Sequence, residues 1–191
     1  MAVHRVVLSY EDYLAMPDDG RRYEILEGEV AVTATPAIPH QVIVGNLYWV
    51  LRGHVQPRGL GQLYLAPVTV ILANTTVVEP DLVYVDPSRA GLVSDRGVRG
   101  APTLAIEVLS PSTAPSDRGP KFQLYARYGI PYYWIADTNA RVLEGYALEA
   151  GAYRLAARIH GDARVALPPF PDLLLGLDEL WPPGTSTGGP A

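Results

Sequence analysis

Two long stretches with helical periodicity, residues 39–54 and 116–129, interrupt a chain that otherwise reads as strands. Strand blocks broken by long helices point to an α/β (α+β) fold, a mixed central sheet flanked by helices. The first helix carries apolar residues at 43, 47, 50 and 51 and is broken by Pro57 and Gly59. The second runs from an N-cap at Ser116 to a stop at Gly129, and with Pro120 in its first turn the helix core is expected to begin near Gly119. Ahead of them, SYEDYLAMP predicts a short capped helix, and Glu27-Gly28 a hairpin turn. GQLYLAPVTVIL, TVVEPDLVYV and APTLAIEVLS each predict a strand. PYYWIADTNARVLEGYAL predicts two strands turning at Asp137-Thr138-Asn139. AYRLAARI and ARVALPPF read as further strands, and LLGLDELW as a closing helix. The length of 191 residues fits one domain, placed at 1–181. Residues 182–191, PPGTSTGGPA, are expected to be a disordered tail.

Two acidic residues stand out in this frame. Asp81 lies between Val78 and Leu82-Val83, and Glu107 lies inside LAIEVL. A carboxylate in so apolar a strand is costly unless something compensates it. Two-residue alternation puts Asp81 on one face with Val83 and Val85, and Glu107 on one face with Ala105 and Leu109. On neighbouring strands the two carboxylates would converge and repel. A divalent cation such as Mg²⁺ (or Mn²⁺) removes that repulsion, because it accepts one or two carboxylates and keeps its waters. The other reading of Glu107 is a buried ion-pair partner of Arg99 or Lys121.

Lys121 is the sole lysine among fifteen basic residues. Near a metal its compact ammonium orients an attacking water or stabilises charge on a phosphate oxygen. Its alternative is an ion pair with Asp117, four residues earlier on the same helix face. Four accessory candidates surround these. His40 starts a helix and either caps it or faces substrate. Glu79 shares a face with Asp81 by alternation. Tyr125, one turn after Lys121, packs over it or belongs to the core. Glu24 sits in the strand before the Glu27-Gly28 turn, where a solvent-facing glutamate is the plain reading.

The remaining composition narrows the function classes. The absence of cysteine excludes disulfides and thiolate metal sites, and agrees with a reducing cytoplasm. No apolar run reads as a signal peptide or a membrane span, so a cytoplasmic protein is expected. The net charge of −5 supplies no basic footprint for nucleic acid.

The pieces YEILEGEV, PHQVIVGNL, VVEPDLVYV, IEVLSPST and DRGPKFQLYARYGIPYYWIAD run in order from residue 23 to 137. In that combination the chain resembles the Uma-type family of restriction endonucleases, in the PD-(D/E)XK nuclease superfamily. The resemblance implies a restriction-endonuclease-like core and a metal site at Asp81 and Glu107. It also implies that Glu24, in the family-like Y-E-x-x-x-G, closes this site. One departure stands out: the superfamily lysine should follow the glutamate by two residues, and position 109 is leucine. Lys121 matches the family's displaced lysine on the next helix. The expected activity is Mg²⁺-dependent hydrolysis of phosphodiester bonds in DNA, by a homodimer, since cutting both strands calls for a second site. The alternative is a nuclease fold used for binding or assembly without catalysis. A two-carboxylate glycosidase gains little support, because the lysine has no place in that mechanism.

Overall fold

The computed structural model describes residues 6–33 and 35–181. Ser9 and Asp12 cap α1 (Tyr10–Leu14) reciprocally, each side chain bonding the other's backbone N–H. β1 (Arg22–Leu26) and β2 (Glu29–Thr33) form the expected hairpin. Its two turn residues, Glu27 and Gly28, both have positive φ, at 51° and 87°, as a primed two-residue turn demands. The long helix α2 spans Ile38–Val55, with Pro39 in its first turn.

The next two predicted strands each divide. GQLYLAPVTVIL becomes β3 (Gln62–Leu65) and β4 (Val70–Ala73), because Pro67 offers no N–H to continue a ladder. TVVEPDLVYV becomes β5 (Thr76–Val78) and β6 (Leu82–Val85), separated at Pro80 for the same reason. A 3₁₀ turn over Pro87–Leu92 leads to β7 (Val93–Ser94) and β8 (Gly97–Arg99), and then to β9 (Leu104–Leu109).

The second long helix is also two pieces, α3 (Ala114–Arg118) and α4 (Pro120–Arg127), hinged at Gly119. Pro120 cannot continue the hydrogen bonding of α3. A side chain at 119 would meet the Pro115 carbonyl at 2.7 Å, so glycine is needed there. Ser116 is consequently inside α3, and Thr113 takes the cap position instead. β10 (Tyr132–Asp137), β11 (Val142–Glu149) and β12 (Ala152–Ile159) form a meander. β13 (Arg164–Ala166), β14 (Leu174–Gly176) and α5 (Leu177–Leu180) close the chain. The expected tail, 182–191, lies outside the described residues.

The strands assemble into two six-stranded sheets where one central sheet was expected. The first has the order β12-β11-β10-β9-β6-β3 and the second β2-β1-β5-β4-β8-β7; β13 and β14 pair by themselves. Both large sheets are mixed: β9 and β10 are parallel across the α3–α4 crossover, and β4 and β8 are also parallel. The chain passes from the second sheet to the first at Glu79-Pro80-Asp81, between β5 and β6.

Every residue of β9 is buried, and its two faces serve different layers. Leu104, Ile106 and Val108 pack with Ile43, Leu47 and Leu51 of α2. Ala105 and Leu109 pack with Leu124 and Tyr125 of α4 and with Val70, Val78 and Val98 of the second sheet. Glu107 points into this second layer. The closing segment covers the α2 side, where Trp134 Nε1 donates to the Pro168 carbonyl at 2.7 Å. Trp134→Phe is expected to cost about 1–3 kcal/mol by leaving that carbonyl unpaired. Urea unfolding should show a lower midpoint with an unchanged slope. Among the described residues, no helix is long and apolar enough to cross a membrane.

Candidate active site

The start of β6 is held against β9 by strand register. β6 and β9 are antiparallel, with Leu82 opposite Ile106. One step further along that register, Asp81 comes opposite Glu107. The Val108 N–H donates to Asp81 Oδ2 at 2.9 Å and fixes the carboxylate against β9. The His40 ring, from the first turn of α2, meets the same oxygen through Nε2 at 3.1 Å. Arg22 Nη1 donates to the other oxygen, Oδ1, at 2.8 Å. Burial opposes ionisation of Asp81, but His40, Arg22 and the Val108 N–H outweigh it and hold its pKa at about 2, below the usual 3.8.

Glu107 Oε1 accepts from Lys121 Nζ at 3.0 Å and from the Tyr125 hydroxyl at 2.8 Å. Its Oε2 accepts no hydrogen bond among the described residues. Burial raises the Glu107 carboxyl above its usual range; Lys121 opposes the rise, while Asp117, Asp81 and Glu24 add to it. Lys121 reaches this point from the start of α4. Its ammonium is shared by Glu24 Oε2 at 2.8 Å, Glu107 Oε1 at 3.0 Å and Asp117 Oδ1 at 3.6 Å. Glu24 uses its second oxygen to accept the Glu79 N–H at 2.8 Å, tying β1 to the crossing between sheets.

Asp81, Glu107, Lys121, Glu24 and His40 line one cavity of about 190 Å³. Ser110 and Ser112, which turn the chain after β9, line it too. The other two accessory candidates do not. Glu79 turns toward a neighbouring pocket, where it accepts the Tyr13 hydroxyl at 2.6 Å. Tyr125 is fully buried behind Glu107 and reaches the site through its hydroxyl. The Arg99 alternative for Glu107 is not realised: the Arg99 guanidinium lies over the Tyr10 ring, 5.8 Å from its centroid.

Two participants were missed. Arg22 stands two residues before Glu24, and that spacing on a strand puts both on one face. Asp117 was read only as a partner of Lys121, yet it is buried, lines the cavity, and is raised in pKa chiefly by burial.

Four carboxylates therefore line the cavity, Glu24, Asp81, Glu107 and Asp117, against two permanent cations, Arg22 and Lys121. Another buried acid, Glu144, is treated differently: Arg118 and Arg158 both pair with it. The carboxylate oxygens of Asp81 and Glu107 suit a hard divalent cation. Open acceptor positions remain on Glu107 Oε2 and on Asp81 Oδ1. Among the described residues, no three His, Asp or Glu side chains form a ready cage. The arrangement fits a cation held by two carboxylates that retains waters, and not one enclosed by protein.

This architecture is shared with a solved structure, that of a putative nuclease belonging to DUF820 from Anabaena variabilis ATCC 29413. The match has a TM-score of 0.75 at 20% identity, and covers 91% of this chain and 97% of the other. The fold is thus a restriction-endonuclease-like core, two mixed sheets flanked by helices. The Uma2 family, described as "Putative restriction endonuclease", matches residues 10–178, and the chain belongs to it. No curated protein matches the chain.

Proposed function

We propose that the protein is a Mg²⁺- or Mn²⁺-dependent endonuclease that hydrolyses phosphodiester bonds in DNA. The observation carrying this reading is the convergence of Asp81, Glu107 and Lys121, from three separate elements, on one small cavity. Asp81 and Glu107 are the residues that would hold the cation. When bound, that cation supplies a Lewis acid for a phosphoryl oxygen. Burial disfavours the Lys121 ammonium, but Glu107, Glu24 and Asp117 outweigh this and raise its pKa above the usual lysine value. Lys121 is therefore a fixed cation and not a proton acceptor. Its part is to orient water and to meet negative charge growing on the phosphate. Tyr125 keeps Glu107 turned toward the cavity, and Glu24 anchors the ammonium. A homodimer supplies the second site for cutting both strands. The cytoplasm is the compartment that suits a cysteine-free chain with a DNA substrate.

A second reading is a non-catalytic binding or assembly module. It is favoured by the fact that Lys121 and Arg22 already have carboxylate partners. Calorimetric titration with Mn²⁺ separates the two. Wild type is expected to bind the ion, and Asp81→Asn and Glu107→Gln each to abolish binding. Binding that persists in both variants would refute the two-carboxylate site. Absence of binding by wild type, with DNA added, would leave the module.

A further inference from the structure

Asp81 offers about four acceptor positions on its two oxygens. Oδ2 uses two of them, for Val108 N–H and His40. Oδ1 uses one, for Arg22 Nη1. Any cation that Asp81 takes up must share Oδ1 with the Arg22 guanidinium, and two cations on one oxygen repel. Arg22 is also held from behind. Its Nη2 donates to the Glu79 carbonyl, and its Nε lies 3.7 Å from Glu79 Oε2. Arg22 and Asp81 line both the 190 Å³ cavity and a second pocket of about 530 Å³ that also holds Glu79.

We infer that Arg22 stands in for the divalent cation: its guanidinium occupies Asp81 Oδ1 in the ion-free protein and yields that oxygen when the ion binds. This rests on Asp81 being a metal ligand. Arg22 is on this account a positioning residue. It keeps Asp81 aimed and neutralised without the ion, and remains tethered to Glu79 once displaced, at the wall between the two pockets. The cost is a weaker apparent metal affinity. A lysine keeps the charge but cannot bridge Asp81 and Glu79 with a planar fork.

The test is thermal unfolding of wild type, Arg22→Met and Arg22→Lys across a Mn²⁺ series, each with and without Asp81→Asn. A bound ion raises the unfolding temperature by mass action. Without ion, Arg22→Met should melt below wild type. It should then respond to Mn²⁺ at about a tenfold lower concentration, because a competing charge is gone. Arg22→Lys should fall between the two. Adding Asp81→Asn should abolish every response. If Arg22→Met is unfolded without ion, folding induced by Mn²⁺ and the intermediate behaviour of Arg22→Lys carry the same conclusion. Equal Mn²⁺ responses in wild type and both Arg22 variants, all abolished by Asp81→Asn, would overturn the role of Arg22 and keep the metal site. Responses that survive Asp81→Asn would remove the metal site and this inference together.

Discussion

Asp81→Asn is expected to lower DNA cleavage on the order of a thousandfold, the typical worth of one well-placed electrostatic group at a transition state. The substitution is nearly isosteric, so the fold should survive it. The asparagine side-chain oxygen can still accept the Val108 N–H that fixes Asp81 to β9. Arg22 keeps its contacts to Glu79. What disappears is the negative charge. Wild-type Asp81 carries that charge throughout the neutral range, because His40, Arg22 and the Val108 N–H overcome the effect of burial. A cation held by two carboxylates loses one of them. The measurement is single-turnover cleavage of plasmid DNA with Mn²⁺, beside circular dichroism of the same samples. An unchanged rate would exclude Asp81 from the chemistry. A rate lost together with the dichroism signal would make it a folding residue.

Lys121→Met should destabilise the protein by about 3–5 kcal/mol, the usual penalty for removing one partner of a buried ion pair. Lys121 is 5% exposed, and three carboxylates share its ammonium. Methionine matches the stem but leaves Glu24, Glu107 and Asp117 without a common cation. The ionised forms of Glu107 and Asp117, already disfavoured by burial, then become harder still to keep in the folded state, so folding raises their pKa values further. Groups raised on folding stabilise the native state below their unfolded pKa and lose that contribution as pH rises through the folded value. The deficit should therefore be large at high pH and shrink as the carboxyls take up protons. Denaturant titrations at about pH 8 and about pH 5 would read this directly. A loss below about 1 kcal/mol at the higher pH would show that the carboxylates do not depend on Lys121.

How much of this was legible beforehand depends on the range of the interaction. The hairpin at Glu27-Gly28, the capping box of Ser9 and Asp12 and the helix over Ile38–Val55 are local events. Turn conformation, caps and a 3.6-residue stripe are written within a few positions of one another. Asp81 and Glu107 were legible for another reason: an acid in an apolar strand is anomalous wherever that strand goes. Val83 and Val85 share one apolar layer with Ala105 and Leu109 in the folded chain, as two-residue alternation requires. Proline marks the strand breaks at 67 and 80, since it has no N–H to give a ladder, although the apolar runs continue across both positions. Pro120 likewise put the start of the helix core near Gly119, where α4 begins, but the separate helix α3 before it is not marked by any local signal.

By itself, then, the sequence determined the family, the mixed α/β character and the anomalous carboxylates, because each depends on residue type and short-range order. Only the tertiary structure decided that the segment around Pro80 crosses between two sheets. It alone brought Arg22 onto Asp81 and Glu24 onto Lys121, where Glu107 and Asp117 also meet the ammonium. Pairings 59 and 97 residues apart in sequence depend on which strands become neighbours and in what register. That choice is made by burying the two faces of β9 against α2 on one side and α4 with the second sheet on the other. No short-range pattern encodes it.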